Sequence, residues 1–190
     1  ANIKYSEILK RNSDLSKSLP DTGYEISVLS NIIISQIIEV LEYTLRVNTV
    51  PAIVKLGDYD NIIQDSDKYK CSNAVIIFWE IPNIIDGLQY KIELFNKDQL
   101  NEFLEKIKSE IDLVLKNLQK TSLVLFNKFT SLPFSTTNIR KNNLEKFSKS
   151  IDKIFLDFNK NSYKSYERAT ILIGKEMAEV KETLRNFSKD

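Results

Sequence analysis

The sequence has no histidine and only one cysteine, Cys71, among its 190 residues. Without histidine, the chain lacks the side chain that enzymes use most often as a general base and proteins use most often as a metal ligand. A single thiol excludes an internal disulfide and any thiolate metal site made by this chain alone. With only four glycines, the chain also lacks both glycine-rich phosphate-binding motifs, so nucleotide binding is not indicated.

The chain has almost no net charge, since 27 Lys and Arg residues oppose 26 Asp and Glu residues. This balance gives no overall field that would favour nucleic acid or an anionic membrane. The most apolar segment, residues 74–79, is far shorter than the roughly 20 residues that span a bilayer. The first residues lack the basic head and apolar body of a secretory signal. We therefore expect a cytoplasmic location, with no nucleic-acid partner, no membrane partner and no cofactor.

Strand-like and helix-like patterns alternate along the chain. Segments rich in β-branched and aromatic residues predict strands, and apolar residues at three- and four-residue steps predict helices. The third strand is almost continuously apolar, which is typical of a strand covered by helices on both faces. The predicted fold is α/β, a three-layer α/β/α arrangement with a mainly parallel sheet, flavodoxin-like or SGNH-hydrolase-like. The predicted strands are 24–31, 51–57, 73–80 and 121–127; the main predicted helices are 4–17, 32–47, 96–118, about 143–158 and about 163–188.

Three regions follow from this pattern. Residues 1–22 form an N-terminal helix and lead-in, residues 23–160 form the α/β domain, and residues 161–190 form a C-terminal helix. The apolar positions of that last helix recur in a narrow stripe, which is typical of a coiled-coil seam. The stripe predicts an interaction or interdomain helix, with packing on the chain's own first helix as the alternative.

Polar side chains follow each predicted strand. In a doubly wound sheet, ligands bind beyond the carboxyl ends of the strands, where the strand order reverses. We therefore expect these residues to surround one shallow cleft and to form the candidate ligand-binding site: Ser30, Asn31, Asp58, Glu80, Asn83 and Asn127.

Each of these residues also has a structural interpretation. Ser30 and Asn31 are suited to capping the helix predicted to start at residue 32, and Asn83 to capping another. Asp58 and Asp60 are common turn residues. Glu80 follows an apolar strand and is either functional or solvated, because burying an unpaired carboxylate is costly. A hard cation held by Asp58, Asp60 and Glu80 is a minor alternative.

Three stretches resemble the N-terminal domain of FkbH-like proteins. They are YEISVLSNIIISQIIEVLEYTLR at 24–46, GDYDNIIQDSDKYKCSNAVIIFWE at 57–80 and LVLFNKFTSLP at 123–133. The resemblance implies a bacterial module shaped like the SGNH esterases that precedes a haloacid-dehalogenase-type (HAD-type) domain. Such proteins take part in attaching short acyl or glyceryl units to acyl carrier proteins, or in surface-polysaccharide biosynthesis. The aspartate-rich strand of the HAD-type domain is absent from this sequence.

The resemblance also implies where an esterase site would lie. Ser30 matches the nucleophile position and Asn83 loosely matches an oxyanion-binding asparagine, but the histidine base is absent. Loss of a triad member lowers the rate by several orders of magnitude. We therefore expect a non-catalytic module that binds a substrate or a partner, either a HAD-type domain, an acyl carrier protein or a second copy of itself. The alternative is an esterase or acyltransferase that uses Ser30 with an unusual base such as Glu80.

Overall fold

The computed structural model describes residues 3–20, 22–80, 83, 84, 91 and 94–127. The helices predicted at about 143–158 and 163–188 lie outside these residues, as does the predicted domain boundary at 160. The described chain alternates helices and strands as predicted. Its elements are α1 (Tyr5–Ser16), β1 (Tyr24–Ser30), α2 (Ile37–Val47), β2 (Ala52–Leu56), α3 (Ile62–Lys68), β3 (Ala74–Phe78), α4 (Lys97–Asn117) and β4 (Leu123–Phe126).

The four strands form one sheet in the order β2-β1-β3-β4, and every neighbouring pair is parallel. Ile26 of β1 lies beside Val54 of β2 and Ala74 of β3, which fixes the register across the centre. All five residues of β3 are buried, as expected for an internal strand covered on both faces. The predicted α/β fold with a parallel sheet is therefore confirmed.

Two apolar cores lie on the two faces of this sheet. Alternate strand residues such as Val28 and Ile76 pack with α2 on one face. Their neighbours, such as Leu29 and Ile77, pack with α3 and α4 on the other face. This division follows from the two-residue alternation of side chains along a strand. Helix α1 packs against α2, outside the first core.

Helix α2 begins later than the sequence pattern predicts. The pattern placed its start at residue 32, but the helix begins at Ile37, and Ile33 is 86% exposed. The Asn31 N–H donates to the Phe78 carbonyl, so residue 31 is still bonded to the sheet and is not yet part of a helix. The predicted capping role of Ser30 and Asn31 is therefore wrong, because these residues lie one to two turns before the helix.

Helix α4 begins where its sequence predicts. The Asn96 side chain accepts a hydrogen bond from the Gln99 N–H, and the Gln99 side chain accepts one from the Asn96 N–H. This reciprocal pair is a capping box, which satisfies two otherwise free amides at a helix start.

Within the described part of the chain, no helix is both long enough and apolar enough to cross a bilayer.

The outer edge of β2 is covered by a polar face of α2. Glu42 accepts a hydrogen bond from the Val54 N–H at 3.0 Å, and the Arg46 Nε donates to the Ala52 carbonyl at 3.0 Å. Arg46 and Glu42 form an ion pair of 3.1 Å, in which their side chains are 7% and 13% exposed. Asn12 of α1 bonds to both side chains. These side chains therefore bond to backbone groups that an edge strand would otherwise leave unpaired.

Candidate functional site

The strand order reverses between β1 and β3. The chain leaves β1 towards β2 on one side and leaves β3 towards β4 on the other, so a crevice is expected beyond the carboxyl ends of these two neighbouring strands. Five of the six predicted site residues gather here, joined to β1, β3 or each other by hydrogen bonds. They are Ser30, Asn31, Glu80, Asn83 and Asn127.

Asn31 joins β1 to the end of β3. Its side chain is fully buried; its Oδ1 accepts from the Glu80 N–H at 2.7 Å, and its Nδ2 donates to the Glu80 carbonyl at 2.9 Å. This pair of bonds continues the sheet ladder with a side-chain amide in place of a peptide group. Glu80 itself is 8% exposed, so the interpretation of it as a solvated carboxylate is wrong.

Asn127 makes the same arrangement from the other side of β3. Its Oδ1 accepts from the Trp79 N–H at 2.6 Å, and its Nδ2 donates to the Trp79 carbonyl at 3.1 Å. Two asparagine amides therefore hold consecutive residues, Trp79 and Glu80, immediately after β3 ends. These asparagines follow β1 and β4, the two neighbours of β3 in the sheet. The geometry makes them positioning residues for the end of β3.

Ser30 and Asn83 also use their polar groups within the protein. The Ser30 hydroxyl donates to the Ile32 carbonyl at 2.8 Å, and the Asn83 Nδ2 donates to the Asn31 carbonyl at 3.0 Å. Among the described residues, no carboxylate forms a hydrogen bond with the Ser30 Oγ. Within the described part of the chain, the serine therefore meets no general base, and a serine without one is a weak nucleophile.

Asp58 does not join the others. Its side chain is 76% exposed and lies 3.9 Å from the Lys68 ammonium. Its backbone N–H is held instead by the buried carboxylate of Asp65, at 2.6 Å. Within the described ranges, no three acidic or cysteine side chains group together as metal ligands, so the cation alternative with Asp58, Asp60 and Glu80 has no geometric support.

Gly57 allows the loop after β2 to approach its neighbours closely. A Cβ atom at this position would lie 2.5 Å from the Asp65 Oδ2 and 2.9 Å from the Leu29 Cδ2. Both distances are below van der Waals contact, so a larger residue would displace the carboxylate that holds the Asp58 N–H. The loop then reaches Asp60, whose N–H donates to the Ser30 carbonyl at 3.0 Å. Gly57 thus helps to position Asp60 at the end of β1.

A cavity of about 210 Å³ lies on the α3 and α4 side of this edge. Trp79 lines it at the end of β3, and Ile84 lines it after the next turn. Asp60 belongs to the β2–α3 loop, and Glu110 belongs to the middle of α4. The described residues that line it are Asp60, Ile62, Ile63, Gln64, Trp79, Ile84 and Glu110.

Most of this cavity was not predicted from the sequence. Asp60 was identified only as a turn residue and a cation ligand, while Gln64, Trp79 and Glu110 were not considered as site residues. One signal was present for Glu110, since it follows Ile107 by three residues and precedes Val114 by four. The helical pattern therefore places this carboxylate on the apolar stripe of α4. A charged residue at such a position is a candidate for a buried site.

Burial raises the pKa of the Glu110 carboxyl above its ordinary value. The nearby Lys106 ammonium, 3.9 Å away, opposes this rise in the pKa, and the Asp60 carboxylate adds to it. The Glu110 side chain is 24% exposed, whereas that of Lys106 is 64% exposed. Solvent therefore screens much of the lysine's charge, and the charged form of Glu110 is disfavoured in the fold.

Replacing Glu110 by glutamine should slightly stabilise the protein at pH 7. Because the pKa of Glu110 is raised in the folded state, its contribution to stability is fully present below the ordinary glutamate pKa. That contribution is lost as the pH rises through the folded-state pKa. Glutamine carries no charge, so the variant does not lose this stability. We expect its free energy of unfolding to rise by less than about 1 kcal/mol, because solvent screens the partly exposed side chain. The gain in melting temperature should shrink as the pH is lowered from 7 to 4. The exposed Glu105→Gln on the same helix is the control; an equal gain for both, or a gain that grows at low pH, would contradict the assignment.

Comparison with known proteins identifies the fold. No known protein family matches the sequence, and no curated protein sequence matches it either. One solved structure is similar, the N-terminal part of the protein BF1531 from Bacteroides fragilis, which contains a phosphatase domain and was crystallised with Mg. The match has a TM-score of 0.61 and 14% sequence identity, and it covers 85% of this chain and 43% of that chain. At this identity the likeness shows the α/β fold, and our chain spans less than half of the solved one.

Proposed function

We propose that this chain is a non-catalytic module that binds a substrate or a partner at the carboxyl edge of its sheet. The observation that carries the proposal is the state of Ser30. Its hydroxyl, at the position of an esterase nucleophile, donates to the Ile32 carbonyl instead of facing a base. The amide of Asn83, which would serve as the oxyanion donor, is bonded to the Asn31 carbonyl. The Ser30 hydroxyl and one N–H of the Asn83 amide are thus used in bonds to the backbone.

The resemblance to FkbH-like proteins suggests which system the module serves. That resemblance implies a following HAD-type domain, and the similar Bacteroides fragilis structure contains a phosphatase domain. Both points support a role beside a phosphatase-type domain, in carrier-linked acyl or glyceryl transfer or in surface-polysaccharide biosynthesis. The proposed partners are that domain and an acyl carrier protein, and a second copy of the chain is the proposed partner of the C-terminal helix.

The protein should not hydrolyse short acyl esters above the background rate. The measurement is release of p-nitrophenol from its acetate and butyrate esters, with the full chain and with Ser30→Ala. Both proteins should give the same background rate, because the serine has no base and the chain has no histidine. Hydrolysis by the unmodified chain that is lost in Ser30→Ala, with folding unchanged by circular dichroism, would replace the binding role with an esterase role.

A further inference from the structure

The cavity over Trp79 contains polar groups that the protein itself leaves unused. Among the described residues, the Trp79 indole N–H has no hydrogen-bond partner although the residue is buried, and the Asp60 carboxylate and the Gln64 amide, which belong to exposed residues at the mouth of the cavity, have none within the protein. The one ion pair that Glu110 makes with the described part of the chain is with the Lys106 ammonium, at 3.9 Å, which is too long for a hydrogen bond. The asparagines at the nearby strand ends differ in this respect, because their amides bond to the backbone of β3.

Trp79 provides the observation that points to a ligand. Its side chain stacks on Phe126, with ring centroids 6.0 Å apart, and the residue is 4% exposed. A buried indole N–H almost always finds an acceptor, because leaving it unpaired away from water is costly. Since Trp79 lines the cavity, a molecule inside it can supply the acceptor that the described part of the protein does not.

The unused groups together select a chemical class. The carboxylates of Asp60 and Glu110 accept hydrogen bonds, the Trp79 N–H donates one, and the Gln64 amide does both. A hydroxyl group also donates and accepts, so a molecule with several hydroxyls can satisfy the whole set. The two carboxylates repel an anion. An ammonium ion has no acceptor for the Trp79 N–H.

The cavity also limits the size of the ligand. Its volume of about 210 Å³ is below the range typical of drug-sized ligands. Three isoleucines in the lining, Ile62, Ile63 and Ile84, provide apolar contacts for a carbon chain. We propose that this cavity binds a small uncharged polyol with three or four carbon atoms, an inference that rests on the proposed binding role and names its ligand class.

Trp79 makes the proposal directly measurable, because it is the only tryptophan in the chain. Titration of the full chain with erythritol should change its tryptophan fluorescence in a saturable way, with a Kd of roughly 1–10 mM for so small a ligand. The comparison ligands have the same four-carbon chain. We expect 1,4-butanediol, which lacks the two inner hydroxyls, to bind at least about fivefold more weakly. We expect n-butylammonium chloride, whose cation has no acceptor for the Trp79 N–H, and MgCl₂ to give no saturable change.

Variants separate binding from general effects of the solvent. Gln64→Ala and Glu110→Gln keep the fluorescent Trp79 and should each weaken erythritol binding at least about threefold. Glu105→Gln, an exposed change on the same helix, should bind as the unmodified chain does. The proposal is overturned if the unmodified chain gives no saturable response to erythritol, or if both cavity variants bind erythritol as tightly as the unmodified chain does. Binding of the amine or of Mg²⁺ that is tighter than binding of erythritol also overturns it. Ser30 is not part of the lining. The ester assay therefore tests the non-catalytic role independently of whether erythritol binds.

Discussion

Asn31→Ala should lower the free energy of unfolding by about 3–5 kcal/mol. The substitution removes the acceptor of the Glu80 N–H and the donor to the Glu80 carbonyl, at a residue that is fully buried. Each buried backbone group left without its partner costs about 1–3 kcal/mol, and the cavity left by the amide adds to the loss. Urea denaturation followed by circular dichroism gives the measurement.

The matched control for this substitution is Asn101→Ala, on the exposed face of α4. Alanine has a higher helix propensity than asparagine, so this change should be neutral or slightly stabilising. Asn127→Ala, measured alongside, tests whether the two strand-end asparagines act alike, because Asn127 holds Trp79 as Asn31 holds Glu80. A loss below about 1 kcal/mol in Asn31→Ala would show that the end of β3 keeps its conformation without the side-chain amide.

The order of strands and helices could be predicted because each element carries its own local pattern. The five buried residues of β3 and the capping box at Asn96 are properties of short stretches of sequence. The start of α2 was not predictable in this way. The apolar residues after Asn31 continue a helical pattern, but the amide of Asn31 is engaged by Glu80, 49 residues further along the chain. A pairing so distant in sequence leaves no local signal.

The candidate site shows the same difference between local and distant information. The rule that ligands bind beyond strand ends predicted that polar residues meet at this edge of the sheet, and five of them do gather there. The rule could not distinguish side chains that hold the backbone, such as Asn31 and Asn127, from side chains that remain unused. That distinction depends on which residues face one another. Glu110 and Trp79 come together only because α4 packs over the end of β3.

Arg46→Met should lower the free energy of unfolding by about 3–5 kcal/mol. The variant keeps most of the side-chain volume but leaves Glu42, 13% exposed, without its cation. It also removes the donors to the Ala52 carbonyl and to Asn12. Removing one partner of a buried ion pair typically costs this much, because the remaining charge stays buried and uncompensated. The same urea denaturation experiment measures the loss.

The chain contains a matched exposed pair for comparison. Arg11 and Glu7 have the same glutamate-to-arginine spacing of four residues on α1, but their side chains are 56% and 46% exposed. Arg11→Met should therefore have little effect on the free energy of unfolding, far less than Arg46→Met. Adding Glu42→Gln to Arg46→Met should recover part of the loss, since the uncompensated charge is then gone. Two results would show that Arg46 and Glu42 do not act as a buried ion pair that closes the edge of β2. One is a loss for Arg46→Met no larger than the loss for Arg11→Met; the other is a double variant, Arg46→Met with Glu42→Gln, that is much less stable than Arg46→Met alone.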